Sequence, residues 1–128
     1  MINFDFKSPQ DSIGVVKATV QKSGKLGFSS GAAKRLDLEN HRYFQVAMNA
    51  NDPEDKCLYL IPSQEGVQNV FKASKAGAYY YLRIKHILDD AGIDYRDKRI
   101  IYDIVKMDQE GSTFYKLTRR KPMSRQTE

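Results

Sequence analysis

The chain has 128 residues, of which 41% are hydrophobic and 29% charged, and its net charge is +5. This size allows one compact domain with a hydrophobic core but not two domains of ordinary size, and the composition excludes collagen-like and disordered chains. Its single cysteine, Cys57, excludes an internal disulfide.

Residues 1–14 form an N-terminal segment in which Asp5, Lys7 and Asp11 interrupt any apolar run. This pattern differs from a secretory signal, and no stretch of about 18 apolar residues occurs further along the chain. We therefore expect no export, no membrane partner and, with one cysteine, a cytoplasmic location.

A repeated pattern organises residues 15–118, and its first copy covers residues 15–61. Its elements, in chain order, are a strand starting near Val16, a strand containing Leu26 and Phe28, a helix capped by Ser29 or Ser30, and two strands over residues 44–48 and 58–61. The Asn-Asp-Pro sequence at residues 51–53 predicts a loop between the last two strands.

The second copy covers residues 67–118, and its residues 71–77 echo residues 16–24. Tyr79 and Tyr81 follow the glycine as Leu26 and Phe28 do in the first copy, which predicts that both tyrosines face inward and that Tyr80 faces outward. The elements that follow are a helix marked by Ile84, Ile87, Leu88 and Ala91 and stopped by Gly92, and two strands over residues 100–104 and 114–117.

Together these patterns predict an α+β fold of two tandem ββαββ repeats. A unit of about 50 residues is small to stand alone, so we expect the copies to pack as one pseudo-twofold domain, either β-barrel-like or two-layered. Residues 119–128 are basic and lack an apolar period, which is typical of a mobile C-terminal tail.

The first copy resembles the AbrB/MazE/SpoVT family of swapped-hairpin transcription factors and antitoxins. The resemblance lies in residues 24–29 (GKLGFS), 32–38 (AAKRLDL), 43–47 (YFQVA) and 58–61 (LYLI). It implies an interleaved β-barrel that grips DNA, with Lys25, Lys34 and Arg35 as DNA contacts, and a tandem copy would resemble a dimer fused into one chain. The chain departs from the family at Ser29, where proline is common, and at Lys25, where arginine is common; Ala78 stands at the latter position in the second copy.

Basic residues concentrate in two segments. Residues 15–42 carry six bases against two acids, and residues 67–88 carry four bases and no acid. Such segments can attract the phosphates of DNA or RNA. The candidate nucleic-acid-binding residues are Lys22, Lys25, Lys34, Arg35, Lys72, Lys75, Arg83 and Lys85.

The repeat predicts that Lys22 and Lys75 occupy corresponding turns and face two phosphate runs symmetrically. The alternative is that these lysines are simply solvated. A second possible contact is Tyr79–Tyr81 followed by Arg83, an aromatic and basic pairing on which single-stranded bases can stack, although packing into the sheet is the simpler account.

Catalysis finds little support in the sequence. His41 and His86 stand at non-equivalent places, and no cluster has metal-ligand spacing. Cys57 has no neighbouring base in the sequence, which favours a structural thiol over a nucleophile. We expect no enzyme activity, no catalytic residues, no metal and no cofactor.

The leading hypothesis is a non-enzymatic nucleic-acid-binding protein, in its more specific form a DNA-binding transcriptional regulator, acting as a pseudo-dimeric monomer or a homodimer. The alternative is a protein-interaction or assembly module, of mobile-element origin, that binds a protein partner through exposed strand edges or acidic hairpins.

Overall fold

A computed structural model describes residues 2–6, 15–52 and 54–124 of the chain. The elements in this part, in chain order, are β1 (Lys17–Val20), β2 (Lys25–Phe28), α1 (Ser30–Arg35), β3 (Tyr43–Ala47), β4 (Leu58–Pro62), β5 (Val70–Lys72), β6 (Ser74–Ala76), β7 (Tyr79–Arg83), α2 (Lys85–Asp90), β8 (Lys98–Arg99), β9 (Ile101–Gln109), β10 (Ser112–Arg119) and β11 (Met123–Ser124).

One antiparallel sheet dominates the described residues. Its strand order is β5-β3-β4-β10-β9-β1-β2-β7-β6, while β11 and β8 form a separate pair. The two outermost strands, β5 and β6, are consecutive in the chain and are separated only by Ala73. Because the chain itself joins the two ends of the sheet, the sheet curls into a nearly closed barrel.

The interior of the barrel is the hydrophobic core. Strand residues alternate between the core and the outside, so that Ala18 and Val20 of β1 are buried and Lys17 and Thr19 are only partly buried. The largest side chains that are fully buried are Tyr95, Tyr102, Phe44, Leu26, Leu38, Leu58, Leu60, Leu82, Ile84, Leu88, Ile100 and Leu117.

The two helices in the described residues are short, with six residues each. No helix in this part of the chain is long and apolar enough to cross a membrane. Ser29 caps α1 as expected: its Oγ accepts a hydrogen bond from the Ala32 amide at 3.1 Å. The same Oγ accepts from the Lys17 amide at 3.1 Å, which holds the start of the helix against β1.

The predicted α+β class is wrong. Strands make up 44% of the described residues and helices only 11%, so the protein is mostly β. The two predicted ββαββ repeats, residues 15–61 and 67–118, do not pack as units, because their strands interleave in one sheet: β2 pairs with β7, β4 with β10 and β1 with β9. The core is enclosed by the sheet itself rather than by a layer of helices.

The faces of β7 are also opposite to the prediction. Tyr80 and Leu82 are buried, whereas Tyr79 and Tyr81 are half-exposed. The reason is the length of the two hairpin turns. Gly24 is the last of three turn residues between Gln21 and Lys25, whereas Gly77 is the first of two turn residues between Ala76 and Tyr79. An alignment of Gly24 with Gly77 therefore places β7 one residue out of step with β2. A shift of one residue exchanges the two faces of a strand.

The start of the basic C-terminal segment belongs to the sheets. Arg119 ends β10, where it pairs with Tyr102, and Met123–Ser124 pairs with Lys98–Arg99. Arg120 is held by Asp103, with 2.7 Å between its Nη2 and a carboxylate oxygen. The last four residues of the predicted tail, 125–128, and most of the predicted N-terminal segment, residues 1 and 7–14, lie outside the described residues.

Candidate nucleic-acid interface

The outer face of the β2–β7 pair carries two cations around one tyrosine ring. Lys25 and Arg83 are cross-strand partners. The Lys25 Nζ lies 4.6 Å from the centre of the Tyr81 ring, and the Arg83 guanidinium carbon lies 5.3 Å from it. Arg83 also donates a hydrogen bond to the Tyr81 hydroxyl at 3.2 Å. Both cations are thus held over the electron-rich face of a half-exposed ring.

A second tyrosine extends this surface. Tyr79 stacks beside Tyr81 with 5.8 Å between ring centres and 25° between ring planes. Its ring lies over Gly27, where a Cβ atom would be 2.9 Å from the Tyr79 Cε2. Gln21 donates a hydrogen bond from its amide to the Tyr79 hydroxyl. Burial raises the pKa of Tyr79, so this hydroxyl stays protonated at neutral pH.

The turn between β1 and β2 adds further cations at the same end of the barrel. Lys22 is exposed in this turn, and Gly24 packs directly against Lys85 at the start of α2. Lys85 is engaged by Asp89, with 2.8 Å between its Nζ and a carboxylate oxygen. That hydrogen bond raises the pKa of Lys85 and, with one from the Tyr95 hydroxyl, lowers the pKa of Asp89.

We call Lys22, Lys25, Arg83, Tyr79 and Tyr81 the Tyr81 patch. Within the described residues, none of its three cations forms an ion pair with a carboxylate. Lys85 lies beside the patch, but its charge is already balanced by Asp89. The patch therefore presents net positive charge next to two half-exposed aromatic rings.

The other candidate residues lie elsewhere. Lys34 and Arg35 occupy the last turn of α1, which starts just after Phe28, at the end of β2 remote from Lys25. Lys75 lies at that same end, because its partner Tyr80 is level with Phe28.

The side-chain contacts of these remote cations differ from those in the patch. Two cations lie near the Tyr80 ring. The Lys75 Nζ is 5.6 Å from the ring centre, and the Arg42 guanidinium carbon is 5.5 Å from it. Lys72 lies on β5, with its Nζ 5.7 Å from the centre of the Tyr43 ring.

The structure does not place Lys22 and Lys75 in corresponding turns. Lys22 lies in a turn, whereas Lys75 lies within β6. Because β2 and β7 run antiparallel, the turn that precedes β2 and the turn that precedes β7 lie at opposite ends of the barrel. The predicted cations thus form separate groups.

Sequence reasoning missed three contributors around these groups. Gln21 and Gly27 support Tyr79, and Arg42 contacts the buried Tyr80. The outward position of Tyr79 could have been found from the length of the β6–β7 turn, because a two-residue turn fixes the register of the strand that follows it. No local signal marks Arg42, because its contact with Tyr80 spans distant parts of the chain.

Within the described residues, Cys57, His41 and His86 each contact other side chains and not one another. Burial, followed by a hydrogen bond to Asp55, raises the pKa of the Cys57 thiol, which lowers its thiolate fraction and so its reactivity at neutral pH. His41 lies 3.6 Å from Asp37, and His86 stacks on Phe71. The described residues contain no group of three His, Cys, Asp or Glu side chains that could hold a metal ion.

Comparison with known proteins found no matching family, no matching curated protein and no matching solved structure. The resemblance to the AbrB/MazE/SpoVT family therefore stays a prediction. Inference about function accordingly rests on the residues and their geometry.

Proposed function

We propose that this protein binds nucleic acid, DNA or RNA, through the Tyr81 patch. The observation that carries the proposal is the position of Lys25 and Arg83 over the ring of Tyr81, without a carboxylate partner for either cation in the described part of the chain. Cations neutralise phosphates, and exposed aromatic side chains contact sugars and bases.

The size of the patch sets the expected strength of binding. The three cations of the patch, Lys22, Lys25 and Arg83, have no carboxylate partner within the described residues and can neutralise about two or three phosphates. Each neutralised phosphate contributes about 0.7 to 0.9 to the negative slope of log K against log salt, so we expect a slope between about −1.4 and −2.7. Affinity is therefore modest at physiological salt and rises clearly at low salt.

The candidate cations lie at opposite ends of the β2–β7 pair, and this separation favours one small interface over symmetric binding to two half-sites. Lys34, Arg35 and Lys75 lie at the other end of the β2–β7 pair, and the same short duplex face could not contact both ends in an equivalent way. A transcriptional regulator of this kind would bind with one end of the barrel, or with two copies of the chain.

The test is fluorescence anisotropy with a labelled 20-nucleotide single strand, its RNA counterpart and the matching DNA duplex, at about 50 mM salt. The double variant Lys25→Gln/Arg83→Gln removes two charges from the patch. We expect it to weaken binding about 10-fold or more, since both removed cations contact phosphate. The three probes show which type of nucleic acid is preferred.

The matched control is Lys34→Gln/Arg35→Gln, which removes the same charge from the opposite end of the barrel. We expect this control to weaken binding by less than about threefold, through the long-range field alone. Equal losses in the two double variants would show that only net charge matters and would overturn the Tyr81 patch. Absence of binding to all three probes would overturn nucleic-acid binding itself.

A protein-interaction module is the second candidate, and a different feature supports it. Ile2, Phe4 and Phe6 form an alternating apolar segment and are 76%, 75% and 88% exposed. The rings of Phe4 and Phe6 lie 6.2 Å apart, which leaves them together on the surface. If this segment binds a protein, Phe4→Ser/Phe6→Ser abolishes capture of that partner from nuclease-treated extract, while Lys25→Gln/Arg83→Gln leaves capture unchanged.

A further inference from the structure

A cleft lies at the end of the barrel where β3 and β10 end and β4 begins. It has a volume of about 360 Å³ and is lined by Met48, Lys56, Ala91, Gly92, Ile93 and Arg119. This volume is in the range of small-molecule sites, which extends from about 300 to 1,000 Å³. Among the described residues, its lining combines the apolar side chains of Met48, Ala91 and Ile93 with two cations, Lys56 and Arg119, and contains no carboxylate.

The core next to this cleft contains an unsatisfied polar group. Tyr102 is fully buried, and its hydroxyl has no hydrogen-bond partner among the described residues. Cross-strand pairing of Tyr102 with Arg119 places both side chains on the same face of the sheet. Arg119 lines the cleft, so Tyr102 is the cross-strand neighbour of a cleft residue, although its own side chain is not part of the lining.

The electrostatic surroundings of Tyr102 agree with this placement. Burial raises the pKa of its hydroxyl to about 12, and the positive charge of Arg119 opposes that rise. A buried donor without an acceptor destabilises a fold, and in folded proteins such groups nearly always have a partner in the protein or an ordered water molecule. The hydroxyl thus retains an unused donor beside Arg119, which a water molecule or another acceptor can satisfy.

We propose that the cleft binds a small organic anion that combines an apolar body with a carboxylate or phosphate group. Lys56 and Arg119 neutralise the anionic group, and the Tyr102 hydroxyl donates a hydrogen bond to it or to a water molecule that it holds. Met48 and Ile93 contact the apolar body. The cleft shares no residue with the Tyr81 patch, so this proposal does not depend on nucleic-acid binding.

Phenyl phosphate is a suitable probe, since it joins a ring to a dianion. Titration of the full chain is followed by NMR of the methyl groups of Met48 and Ile93. We expect saturable shift changes at these methyls, with half-saturation at about 1 mM, as is usual for a fragment of this size. Inorganic phosphate and benzyl alcohol, which each supply one half of the probe, are expected to bind at least about 10-fold more weakly.

Three variants locate the site. Arg119→Gln is expected to weaken phenyl phosphate binding about 10-fold and Tyr102→Phe about threefold or more, because each removes a donor. Lys106→Gln, which removes an exposed charge of β9, is the control and leaves binding unchanged. Tyr102→Phe removes an unsatisfied hydroxyl, so it does not lower the thermal midpoint of the free protein.

Three results would overturn the proposal. The first is the absence of saturable shift changes at Met48 and Ile93 up to about 5 mM phenyl phosphate. The second is an equal effect of Arg119→Gln and Lys106→Gln, which would mean that the probe responds only to net charge. A loss of binding in Lys25→Gln/Arg83→Gln would likewise place the probe on the Tyr81 patch rather than in the cleft.

Discussion

The contact between Gly24 and Lys85 joins the β1–β2 turn to α2, and the substitution Gly24→Ala tests it. Gly24 has a φ of +86°, a left-handed conformation that L residues with a Cβ rarely adopt. A Cβ at this position would also lie 2.5 Å from the Lys85 Cβ and 2.9 Å from the Lys85 Cα. Neither the backbone of Lys85 nor its first side-chain carbon can move without shifting the start of α2.

Two costs add to give the expected loss of stability. The left-handed conformation costs about 1 to 2 kcal/mol for a residue with a Cβ, and crowding against a packed neighbour costs about 1 to 3 kcal/mol. Gly24→Ala should therefore lower the free energy of unfolding by about 2 to 5 kcal/mol. Urea unfolding followed by circular dichroism measures this loss directly.

Gly77→Ala is the matched control. Gly77 lies in the β6–β7 turn with a φ of +64°, but a Cβ there would have no atom within 4 Å. This substitution has only the conformational cost of about 1 to 2 kcal/mol, and the entropy that alanine removes from the unfolded chain is the same in both variants. If Gly24→Ala is no more destabilising than Gly77→Ala, the β1–β2 turn does not pack against Lys85. The described positions of the cations around this turn are then wrong.

Three further predictions concern the core, the acid response and the thiol. Because Tyr80 is buried and Tyr81 is half-exposed, Tyr80→Ala should lower the free energy of unfolding by about 3 to 5 kcal/mol and Tyr81→Ala by about 1 kcal/mol or less. If urea unfolding gave the reverse order, it would contradict the observed faces of β7. Hydrogen bonds from the Cys57 amide, Asn49 and Tyr59 hold the pKa of Asp55 well below its usual value of 3.8, so this carboxylate stabilises the fold above that pH and the stabilisation is lost as pH falls. The difference in thermal midpoint between the wild type and Asp55→Asn should therefore be larger at about pH 7 than at about pH 2.5, and a constant difference would contradict it. The raised pKa of Cys57 predicts slower alkylation by iodoacetamide at pH 7 than for free cysteine, with a rate that increases at higher pH; a rate equal to that of free cysteine would contradict it.

Many local elements could be predicted because their causes are local. The alternation of Leu26 and Phe28 with small or polar residues indicates a strand, and β2 covers both residues. Ser29 was one of two predicted caps, and its Oγ does cap α1. The apolar residues from Ile84 to Ala91 predicted a helix, and α2 lies within that stretch.

The fold class and the candidate site could not be predicted in the same way. Both helices exist, but each has only six residues, and nothing in their apolar periodicity shows that the sheet would close around the core without them. The inward face of β7 depended on one residue of turn length. The strands β5 and β6, on either side of Ala73, are too short to give a clear alternating pattern.

The sequence by itself determined the positions of the longer strands, the cap at the start of α1, and the concentration of cations in two segments. Whether those cations meet was decided only by the tertiary structure. Antiparallel pairing of β2 with β7 brings Lys25 to Arg83 and leaves Lys75 at the other end of the barrel. The physical reason is that strand direction and register arise from pairing between distant segments, and such pairing leaves no mark in the local order of residues.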